Sequence, residues 1–179
     1  MIVILNKKFF DRDTIRVARG LLGKKLVRMY REKRIEGIIT EVEAYIGFED
    51  KASHASRGKT ERTKVMFAGA GTIYVYLIYG MHFCLNIVTE REEYPAAVLI
   101  RGIKTKDGLI SGPGRVTKYI RIDKKLNEKI LSVKNGLWIE NREKFNSKKI
   151  FKSKRIGVDY AGSVWAKKLW RFYISRDKS

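Results

Sequence analysis

Apolar residues in this chain alternate with polar ones more often than they recur every third or fourth position, a pattern that favours strands over helices. After Asp13, which can cap a short helix, Ile15, Ala18, Leu21 and Leu22 share one apolar face as far as Gly23. Lys24 to Tyr30 reads as a strand, Arg31 to Arg34 as a charged turn, and Ile35 to Ile46 as a long strand. Gly47 to Arg62 is a polar loop containing His54 and Arg57.

Thr72 to Val88 reads as a hairpin. Ile73, Val75 and Leu77 point one way and Tyr74, Tyr76 and Ile78 the other, while Phe83, Leu85 and Ile87 alternate with Cys84, Asn86 and Val88. Tyr79, Gly80, Met81 and His82 lie between the runs, with Gly80 at the permissive turn position. Bulky uncharged side chains at such a tip are unusual for a turn in water. Ala96 to Ile103 is a further strand, Ser111 to Arg115 a tight loop, and Val116 to Leu131 a basic helix. Gly136 to Glu140 and Leu169 to Ser175 complete the strands. The expected fold is α+β. Residues 1–179 form one compact domain on a curved, mostly antiparallel sheet or open barrel, with flanking helices and a protruding β-hairpin.

Composition narrows the classes. With 44% hydrophobic and 32% charged residues in 179, the chain has enough apolar content for a core. Its 39 Lys+Arg against 19 Asp+Glu give a net charge of +20, which attracts polyanions, nucleic acid first and anionic membranes second. Residues 1–100 hold 17 basic and 12 acidic side chains, residues 101–179 hold 22 and 7, so the second half supplies most of the field. A single cysteine, Cys84, excludes an internal disulfide, and His54, His82 and Cys84 match no familiar zinc spacing. The apolar run Met1 to Leu5 is too short for a secretory core. Val65 to Thr89 carries no formal charge, but its glycines, Asn86, His82 and β-branched and aromatic content argue for strands rather than a spanning helix.

The long strand offers the first chemistry. Alternation places Glu41, Glu43 and Tyr45 on one face, with Val42 and Ala44 on the other. Two carboxylates beside an aromatic suit acid/base work; the same pattern suits a solvated face paired with lysines and arginines. Tyr74, Tyr76 and Tyr79 read first as core or half-buried surface, but aromatic faces also stack bases, and the tip can wedge between base steps. The loop Ser111 to Arg115 can offer backbone N–H groups to a phosphate or be a plain turn. Gly69-Ala70-Gly71 lacks the third glycine of a dinucleotide site.

Thr40-Glu41-Val42-Glu43-Ala44-Tyr45, His54 with Arg57-Gly58, Met66-Phe67, Gly71 through Met81, and Phe83-Cys84-Leu85-Asn86 closely resemble the alkyladenine DNA glycosylase family, the mammalian-type 3-methyladenine DNA glycosylases. The order continues through Val98 to Arg101, Ser111-Gly112-Pro113, Arg155-Ile156-Gly157 and Arg171-Phe172-Tyr173, so the resemblance runs from about Phe9 to Tyr173. It implies a monofunctional enzyme that flips alkylated or deaminated purines out of duplex DNA and hydrolyses the N-glycosidic bond. Carried over by position, Glu43 is the general base and Arg101 helps hold the attacking water, aided by the backbone around Ile156. Tyr45, His54 and Tyr76 sandwich the base, and Asn86 crowds the 2-amino group of guanine. Tyr79 fills the gap in the stack, and Met81 and His82 contact the minor groove.

Two positions depart from the family pattern: His82 stands where an aromatic Tyr is common, and Ala70 where a Pro is. The resemblance implies no cofactor and no metal, a monomer on damaged double-stranded DNA, and no membrane. It places the protein in the cytoplasm or nucleoid of a prokaryote, or in a eukaryotic nucleus. A non-catalytic module binding RNA or single strands, with Tyr74, Tyr76 and Tyr79 as its platform, is the alternative.

Overall fold

The computed structural model describes residues 2–141 and 150–174. Met1 and Ser175, which end two of the expected segments, lie outside them. In chain order the elements are β1 (Val3–Ile4), α1 (Lys7–Phe10), α2 (Thr14–Leu21), β2 (Lys25–Tyr30), β3 (Lys33–Ile46), β4 (Ile73–Ile78), β5 (His82–Val88), β6 (Ala96–Thr105), β7 (Gly108–Ser111), α3 (Pro113–Ile120), β8 (Leu137–Asn141), β9 (Ile150–Ser153), α4 (Gly162–Ala166) and β10 (Arg171–Ile174). Described strand pairs are all antiparallel, in the order β1-β8-β2-β3-β6-β5-β4, with β7 beside β6 and β10 joining β3 to β9. The result is one compact α+β domain on an unclosed sheet.

β3 is the hub. Its first half pairs with β2 and its later residues with β10, both on the edge opposite β6. Register shifts between Ile39, Glu41 and Val42 mark a bulge against β6. Before it Ile39 faces the core, and after it Val42 and Ala44 do, so Glu41, Glu43 and Tyr45 share the opposite face as alternation expected. Gly102 permits this irregularity. A Cβ there would lie 2.9 Å from both Glu41 Cβ and Thr40 Oγ1.

Asp13 caps α2 through Arg16 N–H, and Val17, Ala18 and Leu21 bury its face against Ile39, Ile100 and Ile103. A second apolar cluster, Ala55, Val65, Met66, Phe67, Tyr74, Val88 and Ala97, fills the other side of the β4–β5–β6 region under the loop and its 3₁₀ turns at His54–Arg57 and Lys64–Phe67. Cover on both faces accounts for the absence of charge from Val65 to Val75 and from Cys84 to Thr89, on either side of the exposed tip. No helix among the described residues is long and apolar enough to cross a membrane.

The structure corrects three boundaries. The basic helix expected over Val116 to Leu131 is α3, which starts earlier at Pro113, suited to a first turn, and stops at Arg121 in the left-handed region (φ 59°). Asp123 then caps a separate 3₁₀ turn, Lys124–Leu126, and Thr72 bridges Ile130. Arg31 and Glu32, at φ 47° and 63°, form a two-residue hairpin turn, so Lys33 and Arg34 belong to β3. His82 is not part of the next tip but pairs with Ile78 as the first residue of β5.

Candidate active site

Strand register builds the site. Tyr74 on β4 is opposite Asn86 on β5, Asn86 opposite Leu99 on β6, Leu99 opposite Glu43 on β3, and Glu43 opposite Arg171 on β10. Directly paired residues point to the same face, so five strands contribute one row of side chains. Beside that row lies a cavity of about 340 Å³, lined by Tyr45, His54, Tyr76, Asn86, Arg101 and Ile156 among others.

Glu43 is fully buried. Its Oε1 accepts the Ile156 N–H at 2.8 Å and lies 3.4 Å from Arg101 Nε, while its Oε2 accepts the Tyr45 hydroxyl at 2.8 Å. Burial holds its carboxyl above the usual carboxylate range, against the pull of Arg101, the Ile156 N–H and the Tyr45 hydroxyl. Burial and the Glu43 charge push the Tyr45 hydroxyl up as well, which keeps it a donor.

Glu41 is buried too, contrary to a solvated face. Its Oε1 accepts from Arg101 Nε at 3.1 Å and Arg171 Nε at 2.7 Å. Arg101 therefore sits between two carboxylates, fixed toward Glu43 by Glu41. Behind Tyr45, the buried Arg155 grips Asp50 through both terminal nitrogens, at 2.6 and 2.8 Å. Its guanidinium lies 4.8 Å from the Tyr45 ring centroid. Asp50 also accepts Ile46 and Ala52 N–H groups, shaping the turn that leads to Ser53 and His54.

His54 meets Tyr76 edge to face at 4.5 Å between centroids, and its Nδ1 is 3.0 Å from the Tyr74 hydroxyl. Burial, helped by Arg62 and Arg57, lowers its pKa to about 4, so the ring is neutral at pH 7. Asn86 is buried, its Nδ2 donating to the Tyr74 carbonyl at 3.2 Å.

All three tyrosines of the hairpin line the pocket but differ in exposure: Tyr74 is buried, Tyr76 half-buried, and Tyr79 is 87% exposed at the tip. Tyr79 is non-glycine at φ 51°, beside Gly80 at 69°, a strained turn that lifts its ring at the pocket mouth. Met81 is 71% exposed, and Met81 and His82 lie outside the described pocket lining. Sequence reasoning placed Glu43, Arg101, Tyr45, His54, Tyr76 and Asn86, which the fold brings together. It missed the Asp50–Arg155 pair, whose members lie 105 residues apart; only the Arg155-Ile156-Gly157 motif pointed there. Among the described residues, no group of three or more His, Cys, Asp or Glu is arranged to hold a metal ion.

A buried, multiply bonded carboxylate just behind an aromatic-walled pocket, bonded to Tyr45, Arg101 and Ile156 of its lining, in a strongly cationic protein, suits chemistry on a planar group carried by a polyanion. A family model for the methylpurine-DNA glycosylases matches residues 8–178, and the chain belongs to that family. A protein of Legionella pneumophila (strain Corby), named as a 3-methyladenine DNA glycosylase, is 49% identical over 173 residues, 95% of this chain and 93% of the relative. Similarly named proteins of Methanocella arvoryzae and Natranaerobius thermophilus are 45% and 39% identical, each over 95% of this chain and 92% and 94% of their own.

Proposed function

We propose that this protein, a DNA repair N-glycosylase by family, flips a damaged purine into the 340 Å³ pocket and hydrolyses its N-glycosidic bond with Glu43 as general base. The observation that carries the assignment is Glu43 itself, buried and held by Tyr45, Ile156 and Arg101. Water attacks the sugar C1′ and passes its proton to Glu43. The C1′–N bond breaks and its electron pair leaves with the base, neutralising a purine made cationic by alkylation, whereas hypoxanthine leaves as an anion that takes a proton from water. The Glu43 charge also favours the positive charge that develops on the sugar.

Tyr45 stacks on one side of the base and His54 with Tyr76 on the other. Electron-rich rings attract a cationic purine, and a neutral His54 does not repel it. Asn86, anchored on the Tyr74 carbonyl, crowds a guanine 2-amino group. Tyr79 enters the vacated stack, with Met81 and His82 in the minor groove. Among the described residues no lysine lines the pocket, which supports water rather than an amine as nucleophile. The acting form is a monomer, and 3-methyladenine and hypoxanthine are among its substrates.

Wild-type protein should free purines from methylated and hypoxanthine-containing duplexes. Glu43→Gln should slow release about 10²–10⁴-fold while damaged-duplex affinity is kept. The wild-type rate should fall on acidification through a pKa above the ordinary carboxylate range. No release by wild type overturns the enzyme reading, and full activity of Glu43→Gln overturns the role of Glu43.

A further inference from the structure

A second cavity, of about 1430 Å³, shares no lining residue with the base pocket. The start of β3, the β6–β7 hairpin and α3 supply most of its walls, with Lys25 of β2 and Ile174 of β10 completing them. Six of its cations, Lys33, Lys104, Lys106, Arg115, Lys118 and Arg121, are exposed and have no ion pair among the described residues. By contrast, Lys25 and Arg34 neutralise Glu36 at 2.8 and 2.7 Å. Charge at this site is thus compensated at Glu36 and uncompensated elsewhere on the walls.

The dimensions select the ligand. The cavity is about four times the base pocket and exceeds the roughly 300–1,000 Å³ of small-molecule sites. Its cations are spread rather than convergent. Lys104 and Lys106 are two apart at the end of β6, and Arg115, Lys118 and Arg121 recur every third residue along α3 and its cap, a spacing of about 5–6 Å on one helix flank. Two rows of unpaired cations facing an open trough suit a chain of phosphates.

We propose that this groove is a DNA-backbone site separate from the base pocket, which grips the duplex beside the lesion whatever its sequence. The inference rests on the glycosylase reading for its choice of polyanion. β6 runs from Arg101 in the pocket to Lys104 in the groove, and β3 from Tyr45 to Thr40. At about 3.3 Å per residue these offsets are about 10–17 Å, or three to five nucleotides at about 3.4 Å each along a strand. The phosphates held there are therefore about three to five nucleotides from the damaged base.

The test is a triple variant, Lys104→Ala with Lys106→Ala and Lys118→Ala, against a control lacking three exposed lysines outside the groove, Lys8→Ala with Lys134→Ala and Lys152→Ala. Binding of an undamaged duplex is measured across salt concentrations. The groove variant should lose at least about tenfold in affinity at low salt, and its slope of log K against log salt should flatten by about two to three, while the control changes little. Methylphosphonates three to five nucleotides from a lesion should weaken wild type and not the groove variant. An unchanged slope, or an equal loss in the control, overturns the proposal. So does a variant that loses tripolyphosphate binding while keeping duplex affinity, which would mark a small-anion site. Single-turnover base release at saturating protein should be unchanged in the groove variant. A wild type that frees no base would overturn the glycosylase reading instead, leaving the duplex measurement to decide the groove.

Discussion

Behind the lining of the 340 Å³ pocket, Glu41, Glu43, Asp50, Arg101, Arg155 and Arg171 are all paired within the fold. At the tip of the β4–β5 hairpin, Tyr79 and Met81 are 87% and 71% exposed, with no side-chain hydrogen bond or ring contact among the described residues. The first region buries charge, which is tolerable only where each group finds an opposite charge and hydrogen bonds. The second leaves apolar surface in water on a strained turn, which costs stability in the free protein. On the proposed reading, groups that do chemistry are in place before the substrate arrives, and groups that test the duplex stay unsatisfied until it does.

The comparison is broken most severely at its buried side. Asp50→Ala leaves Arg155 as an uncompensated buried cation behind Tyr45 and removes the acceptor for Ile46 and Ala52 N–H. A loss of about 3–5 kcal/mol in urea unfolding is expected. A loss under about 1 kcal/mol would show that the pair does not secure the pocket.

The exposed side should respond in binding rather than stability. Tyr79→Ala should leave unfolding almost unchanged and weaken binding of a damaged duplex by about 1–3 kcal/mol, with a smaller loss on single strands. Equal losses on both substrates would make Tyr79 a stacking surface instead of a wedge.

His54 sharpens the comparison with the smallest effect. Its pKa of about 4 in the fold lies below the ordinary 6.5, so the unfolded chain binds more protons between those values. Stability from this group is present above pH 6.5 and is lost as pH falls toward about 4. Glu43, held above its ordinary range, contributes with the opposite sign. His54→Gln should remove the His54 part of the decline in unfolding free energy measured across that window. An unchanged pH profile would mean that His54 is not held neutral by its surroundings.

Much of this was legible along the chain because strands have a period of two. Alternation put Glu43 beside Tyr45 and set Tyr74 and Tyr76 on one face of a hairpin with Tyr79 at its tip. It failed where a local conformation interrupts a pattern. Arg121 adopts a left-handed cap, so the basic stretch after Pro113 is an eight-residue helix and not a long one. It was also silent on the burial of Glu41, because the same spacing describes a solvated strand until β10 supplies Arg171 beside it.

By itself, then, the sequence determined the strand-rich pattern, the cationic excess, the bulky uncharged tip and, through its motifs, the family. Tertiary structure alone decided which charges meet. The row from Tyr74 through Asn86, Leu99 and Glu43 to Arg171 exists only because four antiparallel pairings bring it into register. The bond between Asp50 and Arg155 likewise closes over 105 residues. Periodicity reports which face a side chain takes, whereas the environment that tunes a carboxylate comes from partners distant in the chain, and no local pattern encodes them.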